Sequence, residues 1–526
     1  MVIPLLVLAC APIDDARDPR PEPTMAPVAV RTRASLDLRG VHPSPDEIAG
    51  VETDPAAIDG LVDTFLADPR FESRVRDLWA EVYLTRTGPI YLTAGDFGVD
   101  DVAAFDASVG DEVLRILGRV AAEDRPWTEI VTADWTMADE LLASIWPVER
   151  EAGEGWQVAR YTDGRPSAGV LTANSFYWRY DSTASNGSRK RANAASRILL
   201  CNDYLTRPIE FDRNVNLLDQ EAVLDALHTN DACVNCHQTL DPLAAYFFGF
   251  FWYTADNPQE AVRYYPEREP LWRTYVETPP AYYGEPGFNL TELGRQIAGD
   301  SRFAECAVEQ AYELLLHRPA TLADTDALAR HREAFLAGGL TMRSLIRSVV
   351  ADPRYRAGAT DAEGYVPSKM KTPDLLATSV AELTGYTWTY QDYDLLRTDT
   401  VGYRTLAGGA DGYRVTANAR APNATLLLVQ ERLAESAAEH AVLEAPEGLF
   451  PGLTFTETPD TDREAVIATI QGLHLALFGD RVAADGEEVT AALELWADLY
   501  AVERDVPATW AGLLSVLLRD PDFLLY

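Results

Sequence analysis

Leu61-Val-Asp-Thr-Phe-Leu-Ala-Asp68-Pro69-Arg-Phe71 recurs twice further along the chain. The later copies are Leu345-Ile-Arg-Ser-Val-Val-Ala-Asp352-Pro353-Arg-Tyr355 and Leu513-Leu-Ser-Val-Leu-Leu-Arg-Asp520-Pro521-Asp-Phe523. In each, an apolar helix runs into Asp-Pro. Proline disfavours helical dihedrals in the residue before it and cannot donate to the backbone ladder, so the helix is expected to stop there. The aromatic two places on is then positioned to fold back over the helix end. Upstream, each copy has a turn and an acidic helix start: Gly40-Val-His-Pro43-Ser-Pro-Asp46-Glu47, His317-Arg-Pro319-Ala-Thr-Leu-Ala-Asp324 and Gly479-Asp-Arg-Val-Ala-Ala-Asp485-Gly-Glu487. Acidic residues in a first turn favour the helix dipole. Phe303, Ala307, Ala311 and Leu314 add a helical apolar spacing before the second turn. The chain therefore reads as mainly α, a multi-domain protein built on repeated helix-turn-helix units. Strand is expected only around Ala168–Leu171 and Val415–Ala417. His42, His317 and His474 lie in or near the turns at inconstant spacing, which reads as exposed turn histidines rather than a ligand set.

At 526 residues, 47% of them apolar, the chain can bury several cores. Its formal charge of −37, from 82 acidic and 45 basic residues, repels nucleic acid and anionic membrane surfaces. No stretch approaches the length of apolar sequence that a spanning helix needs. The start, Met1-Val-Ile-Pro-Leu-Leu-Val-Leu-Ala-Cys10, looks like a bacterial lipoprotein signal with Cys10 as the lipidated residue, although no Lys or Arg precedes it. Pro12, Pro19, Pro21, Pro23 and Pro27 follow, a composition suited to an extended tether. The expected organisation is a signal at 1–10, a tether at 11–35, an N-terminal helical domain at 36–155 and a haem module at 156–270. A helical repeat unit at 285–358, a Gly-containing loop and helix at 365–445 and a C-terminal repeat unit at 446–526 complete it. The run Gly408-Gly-Ala-Asp-Gly412 lacks the Lys-Ser/Thr of a phosphate loop and reads as a turn.

Cys233-Val-Asn-Cys236-His237 carries the chemistry. In a c-type haem site two thiols add to the haem vinyl groups and the adjoining imidazole reaches the iron. One helical turn separates the sulfurs, which sets both along one porphyrin edge. Haem c, one and covalent, is thus the expected cofactor, with Cys233 and Cys236 holding it and His237 as proximal ligand. Two other readings stay open: a redox dithiol, and a zinc site drawing on Cys201, Cys233, Cys236 and either Cys306 or His237. In an oxidising compartment Cys201 and Cys306 are candidates for a disulfide. The aromatic run Tyr246-Phe-Phe-Gly-Phe-Phe-Trp-Tyr253 suits either a cofactor wall or ordinary core. Met370 is the candidate distal ligand, with Met137, Met342 and His228 as others.

The chain resembles the secreted cytochrome-c-like proteins of unknown function found in planctomycetes and myxobacteria. Leu36-Asp-Leu-Arg-Gly-Val-His-Pro-Ser-Pro-Asp-Glu47 is similar to one family opening, continued by Leu61–Trp79. Thr132-Ala-Asp-Trp-Thr136 and Glu140-Leu-Leu-Ala143 are similar to a segment preceding the haem module. Gly169–Leu200 with His228, Asp231, Cys233, Cys236, His237, Asp241 and Pro242 resemble the module itself. Leu240, often Met or Ile in relatives, and the aromatic run depart from the pattern. The resemblance implies haem binding and export, and it supplies no substrate.

The expected function is electron transfer by an exported, periplasmic or cell-surface lipoprotein. Its partner would be a redox protein or a small-molecule donor or acceptor, and its only membrane contact the lipid. A haem-dependent oxidase or peroxidase with an open distal site, and a structural or redox-sensing envelope component, are the alternatives. No GxSxG, HExxH or phosphate-loop pattern is present to name a catalytic residue.

Overall fold

The computed structural model describes residues 24–87, 90, 92–183, 186–207, 216, 218–250, 258–358, 368–458 and 461–526. Helix accounts for 62% of the structure and strand for 5%, so the chain is mainly α. Cys10 and most of the proline-rich segment lie outside the described residues. The end of that segment does not: Pro27–Arg39 is a helix in which Val30, Arg31, Arg33, Ala34 and Ser35 are buried. The tether expected to run to residue 35 therefore gives way to packed structure at Pro27. That proline occupies the first helical position, where its missing N–H is no loss.

All three Asp-Pro repeats form the same corner. The aromatic N–H donates to the aspartate carbonyl in each, Phe71 to Asp68 at 3.0 Å, Tyr355 to Asp352 at 3.1 Å and Phe523 to Asp520 at 3.0 Å. The aspartate carboxylate accepts the N–H two residues on, at 2.9 Å from Arg70, 2.8 Å from Arg354 and 2.8 Å from Asp522. Phe71, Tyr355 and Phe523 are each 1% exposed, so the aromatic does fold back into the core. A fourth corner escaped the sequence pattern. Asp300-Ser301-Arg302-Phe303 makes both bonds, at 3.0 and 2.9 Å, and buries Phe303, with serine in the proline's place. The essential residue is thus the aspartate, which satisfies backbone donors at the corner; proline only enforces the stop. Capping boxes at Ser44/Glu47 and Thr321/Asp324 close two of the acidic helix starts.

The helices share two large cores instead of forming one per expected unit. The first joins side chains from Ala34 to Tyr355 and spans the regions 36–155, 156–270 and 285–358. The second runs from Met370 to Leu524 and merges 365–445 with 446–526, chiefly through helix Ala424–Leu443 on helix Val506–Leu518. A helix-turn-helix unit buries one face only, so adjoining units must pool their apolar faces. The expected strands do not form: Gly169–Thr172 is a 3-10 helix and Val415–Ala417 is irregular. The main sheet has antiparallel strands β1 (Thr136–Ala138), β2 (Val148–Arg150) and β3 (Gln157–Tyr161), in the order β1-β3-β2. No helix among the described residues is long and apolar enough to cross a membrane.

The two cores are stitched by charge. Asp37, on the first helix, is 1% exposed. It accepts from the Tyr355 hydroxyl at 2.6 Å, from the Tyr526 hydroxyl at 2.7 Å and from the Lys369 ammonium. Lys369 also donates to the Leu315 carbonyl at 2.8 Å. The backbones of Lys369 and Tyr526 pair reciprocally at 2.7 and 2.9 Å. Burial and the adjacent carboxylate push both phenols well above their ordinary range, so both remain donors. Arg86 with Asp77 (2.7 Å) and Asp111 (2.6 Å), and Arg397 with Asp77 (3.2 Å), form a second stitch.

Breaking a buried pair by removing one partner strands the other charge. Asp37→Ala is expected to cost about 3–5 kcal/mol in urea unfolding. A loss within the scatter of ordinary surface substitutions would contradict the role given to this carboxylate.

Candidate functional site

The Asp219 and Asn230 side chains cap two successive helices, Gln220–Thr229 and Asp231–Ala244, and the second carries the whole Cys-x-x-Cys-His motif. Residues three and four apart share a helix face, so Cys233, Cys236 and His237 line one side of it. Both thiols are free and half-buried. The His237 ring is 23% exposed.

His237 is held by a buried chain of bonds. Its Nδ1 lies 2.8 Å from Oδ1 of Asp241, one turn on. Asp241 is buried and clamped by Arg189, Nε to Oδ1 at 2.6 Å and Nη2 to Oδ2 at 2.8 Å. Burial opposes ionisation of Asp241, but its bonds from Arg189 and His237 outweigh this and hold the carboxyl below the usual range. An ionised carboxylate only accepts, so Nδ1 of His237 is the donor to Asp241, and in the neutral ring Nε2 is the nitrogen left with a lone pair.

Arg189 starts the helix Arg189–Leu200, and the residue after that helix, Cys201, is disulfide-bonded to Cys306 of helix Ser301–Leu316. The Cα atoms are 5.2 Å apart across a separation of 105 residues. Closing a loop of that length stabilises by about 4–5 kcal/mol in the chain-entropy model. The crosslink thus anchors one end of the helix whose other end positions Asp241. Two bonds steady the motif helix itself, Tyr204 Oη with Thr239 Oγ1 at 2.9 Å and Arg207 to the Asn235 carbonyl at 3.1 Å. Arg191 is fully buried with its guanidinium 4.0 Å from the centre of the Tyr177 ring, and burial pushes it down to about 10.

The described part of the aromatic run is core. Tyr246, Phe247, Phe248 and Phe250 are buried, and Phe250 packs on Tyr177 and Tyr264 with ring centres 4.6 and 5.0 Å apart. Phe251, Trp252 and Tyr253 lie outside the described residues. Met370, expected as a distal ligand, is committed elsewhere: it is 1% exposed in the second core, bridged to Leu525 and lying against Gly408. Met137 and Met342 are equally embedded, in the first core. His228 differs, being exposed at the end of the helix that packs on the motif helix. The disulfide removes Cys201 and Cys306 from any zinc set with Cys233 and Cys236. Among the described residues no group of three or more His, Cys, Asp and Glu side chains is arranged to hold a metal ion.

The turn histidines are not exposed. His42 stacks on Phe523, His317 ends its helix in the left-handed region and is pushed by burial to about 4, and His474 lies inside helix Arg463–Phe478. Arg189 went unnoticed in the sequence because 52 residues separate it from Asp241. The i, i+4 spacing of His237 and Asp241 was the signal for the first link.

No family model, curated protein or solved structure matches the chain.

The bond to Asp241 fixes the tautomer of His237. Nitrogen-15 NMR of the folded protein is expected to show its Nδ1 protonated and Nε2 bare, and Asp241→Ala is expected to bring the other tautomer up. An Nε2-protonated ring in the parent protein would contradict the assignment.

Proposed function

We propose that the chain is an exported monohaem c-type cytochrome-like lipoprotein that transfers electrons at the cell envelope. Cys233 and Cys236 would hold the haem through thioether bonds, and His237 Nε2 would be the proximal ligand. The observation that carries this is the Arg189–Asp241–His237 chain. It engages Nδ1 and leaves Nε2 as the nitrogen free to bind a metal, beside two free thiols on the same helix face. A metal-ligating imidazole needs that arrangement, because a carboxylate on the far nitrogen orients the ring and raises its basicity. A redox dithiol has no use for it.

A bound c-type haem supplies one-electron chemistry at iron. The protein's part is to fix the ring through Asp241, to hold Arg189 through its disulfide-anchored helix and to keep the motif face partly open. The Cys201–Cys306 bond supports an oxidising compartment, where covalent haem attachment takes place. Lipidation at Cys10, and kinship with the planctomycete and myxobacterial cytochrome-like proteins, belong to the same proposal. The acidic surface favours a redox partner protein or a small molecule over nucleic acid.

The test is optical. Protein made with periplasmic haem-attachment machinery is expected to show sharp reduced bands that carbon monoxide leaves unchanged, and Cys233→Ala with Cys236→Ala is expected to abolish acid-stable haem. A high-spin spectrum that responds to carbon monoxide would overturn the relay in favour of an open-site oxidase or peroxidase.

A further inference from the structure

Of the 45 basic residues only three are lysines: Lys190, Lys369 and Lys371. Arginine serves everywhere else, including the fully buried positions 31 and 191. Lys190 is an exposed partner of Asp181. The other two lie in Lys369-Met370-Lys371, 2% and 1% exposed. Lys369 is answered by Asp37 and the Leu315 carbonyl. No carboxylate among the described residues answers Lys371. Its Nζ lies 3.5 Å from His42 Nε2 and 3.9 Å from the centre of the Phe523 ring.

An isolated ammonium is costly to bury, so such a lysine adopts its neutral form. Burial pushes Lys371 down to about 7, and Lys369 likewise; what sets Lys371 apart is that it has no carboxylate partner among the described residues and lines a cavity. Burial above all holds His42 well below its ordinary range, so a neutral imidazole faces the amine. Its Nδ1 is buried without a partner.

Lys371 and His42 both line a cavity of about 290 Å³, walled by Leu36, Leu477, Phe478 and Leu525. The exposed carboxylates of Asp480 and Asp522 also border it and mark its solvent side. Arg33 also lines the cavity and offsets part of the acidic charge, so neither sign dominates, and a largely apolar lining that includes an amine suits a small neutral carbonyl compound. We propose that this cavity is a carbonyl-binding site in which Lys371 forms an imine with an apolar aldehyde or ketone, assisted by His42.

The step is a condensation. The Nζ lone pair adds to the carbonyl carbon while the carbonyl π pair moves to oxygen. Both amine protons then leave on that oxygen as water, relayed by His42 Nε2, and a C=N bond remains. No oxidant or reductant is required. Arginine could not replace the lysine, because a guanidinium stays protonated at all physiological pH.

Lys369 supplies an internal control: it is equally buried two residues away, but ion-paired. Folded full-length protein is treated with butanal and cyanoborohydride at neutral pH, which converts any imine to a stable butyl-lysine, and the sites are mapped by peptide mass spectrometry. Lys371 is expected to react at least about tenfold faster than Lys369 or Lys190, because it lines the cavity and carries no carboxylate partner among the described residues, whereas Lys369 is held by Asp37 and Lys190 by Asp181. Lys371→Met is expected to remove that label. His42→Gln leaves the amine in place and is expected to slow labelling at Lys371 by about a hundredfold, the scale of a lost proton relay, without changing Lys190. Labelling confined to Lys190 and the terminal amine overturns the proposal. Equal rates at Lys369 and Lys371, the mark of mere unfolding, overturn it as well.

Discussion

One carboxylate, that of Asp37, is shared by donors from three distant parts of the chain, the Tyr355 and Tyr526 hydroxyls and the Lys369 ammonium. Each donor would be expensive to bury alone, and each is buried because the others complete the set. Tyr355 ends the second Asp-Pro corner of the first core, while Lys369 and Tyr526 pair through their backbones beside the isolated Met370–Leu525 bridge of the second. Apolar packing drives each core together, but it is indifferent to how the two meet. The shared charge supplies the register between them, with the Arg86–Asp77–Arg397 contacts as a second point of attachment.

The same economy of fixed points governs the candidate site. The disulfide anchors one end of helix Arg189–Leu200, Arg189 at the other end clamps Asp241, and Asp241 orients His237. Each link immobilises the next, so a side chain that remains 23% exposed still has its Nδ1 engaged and its ring direction set. Preorganisation of that kind is what a metal-ligating histidine needs, and the haem proposal rests on it.

Helices and their corners were legible because their cause is local: an apolar period of 3.6, a proline, a capping acid. The fourth corner, at Asp300, shows the limit of pattern matching, since serine serves where proline was the landmark. Number and extent of cores were not legible. Whether one amphipathic unit pools its face with the next depends on packing across hundreds of residues, and the five expected folded units became two large cores. In the site, the thiols and imidazole were explicit in five consecutive residues, and the Cys201–Cys306 pairing was among the expectations the structure contains. Arg189 carried no sequence signal, and nothing local to Met370 showed that it is buried in the second core. The lysines on either side of it are buried, one by Asp37 and the other beside a cavity.

The central claim is covalent haem on the helix Asp231–Ala244. The direct measurement is the peptide mass map of non-reduced protein purified from a host equipped for haem attachment. One haem on the peptide containing Cys233 and Cys236, with Cys201 and Cys306 still linked to each other, is the predicted result. Unmodified thiols at Cys233 and Cys236 in that folded, exported protein would contradict it.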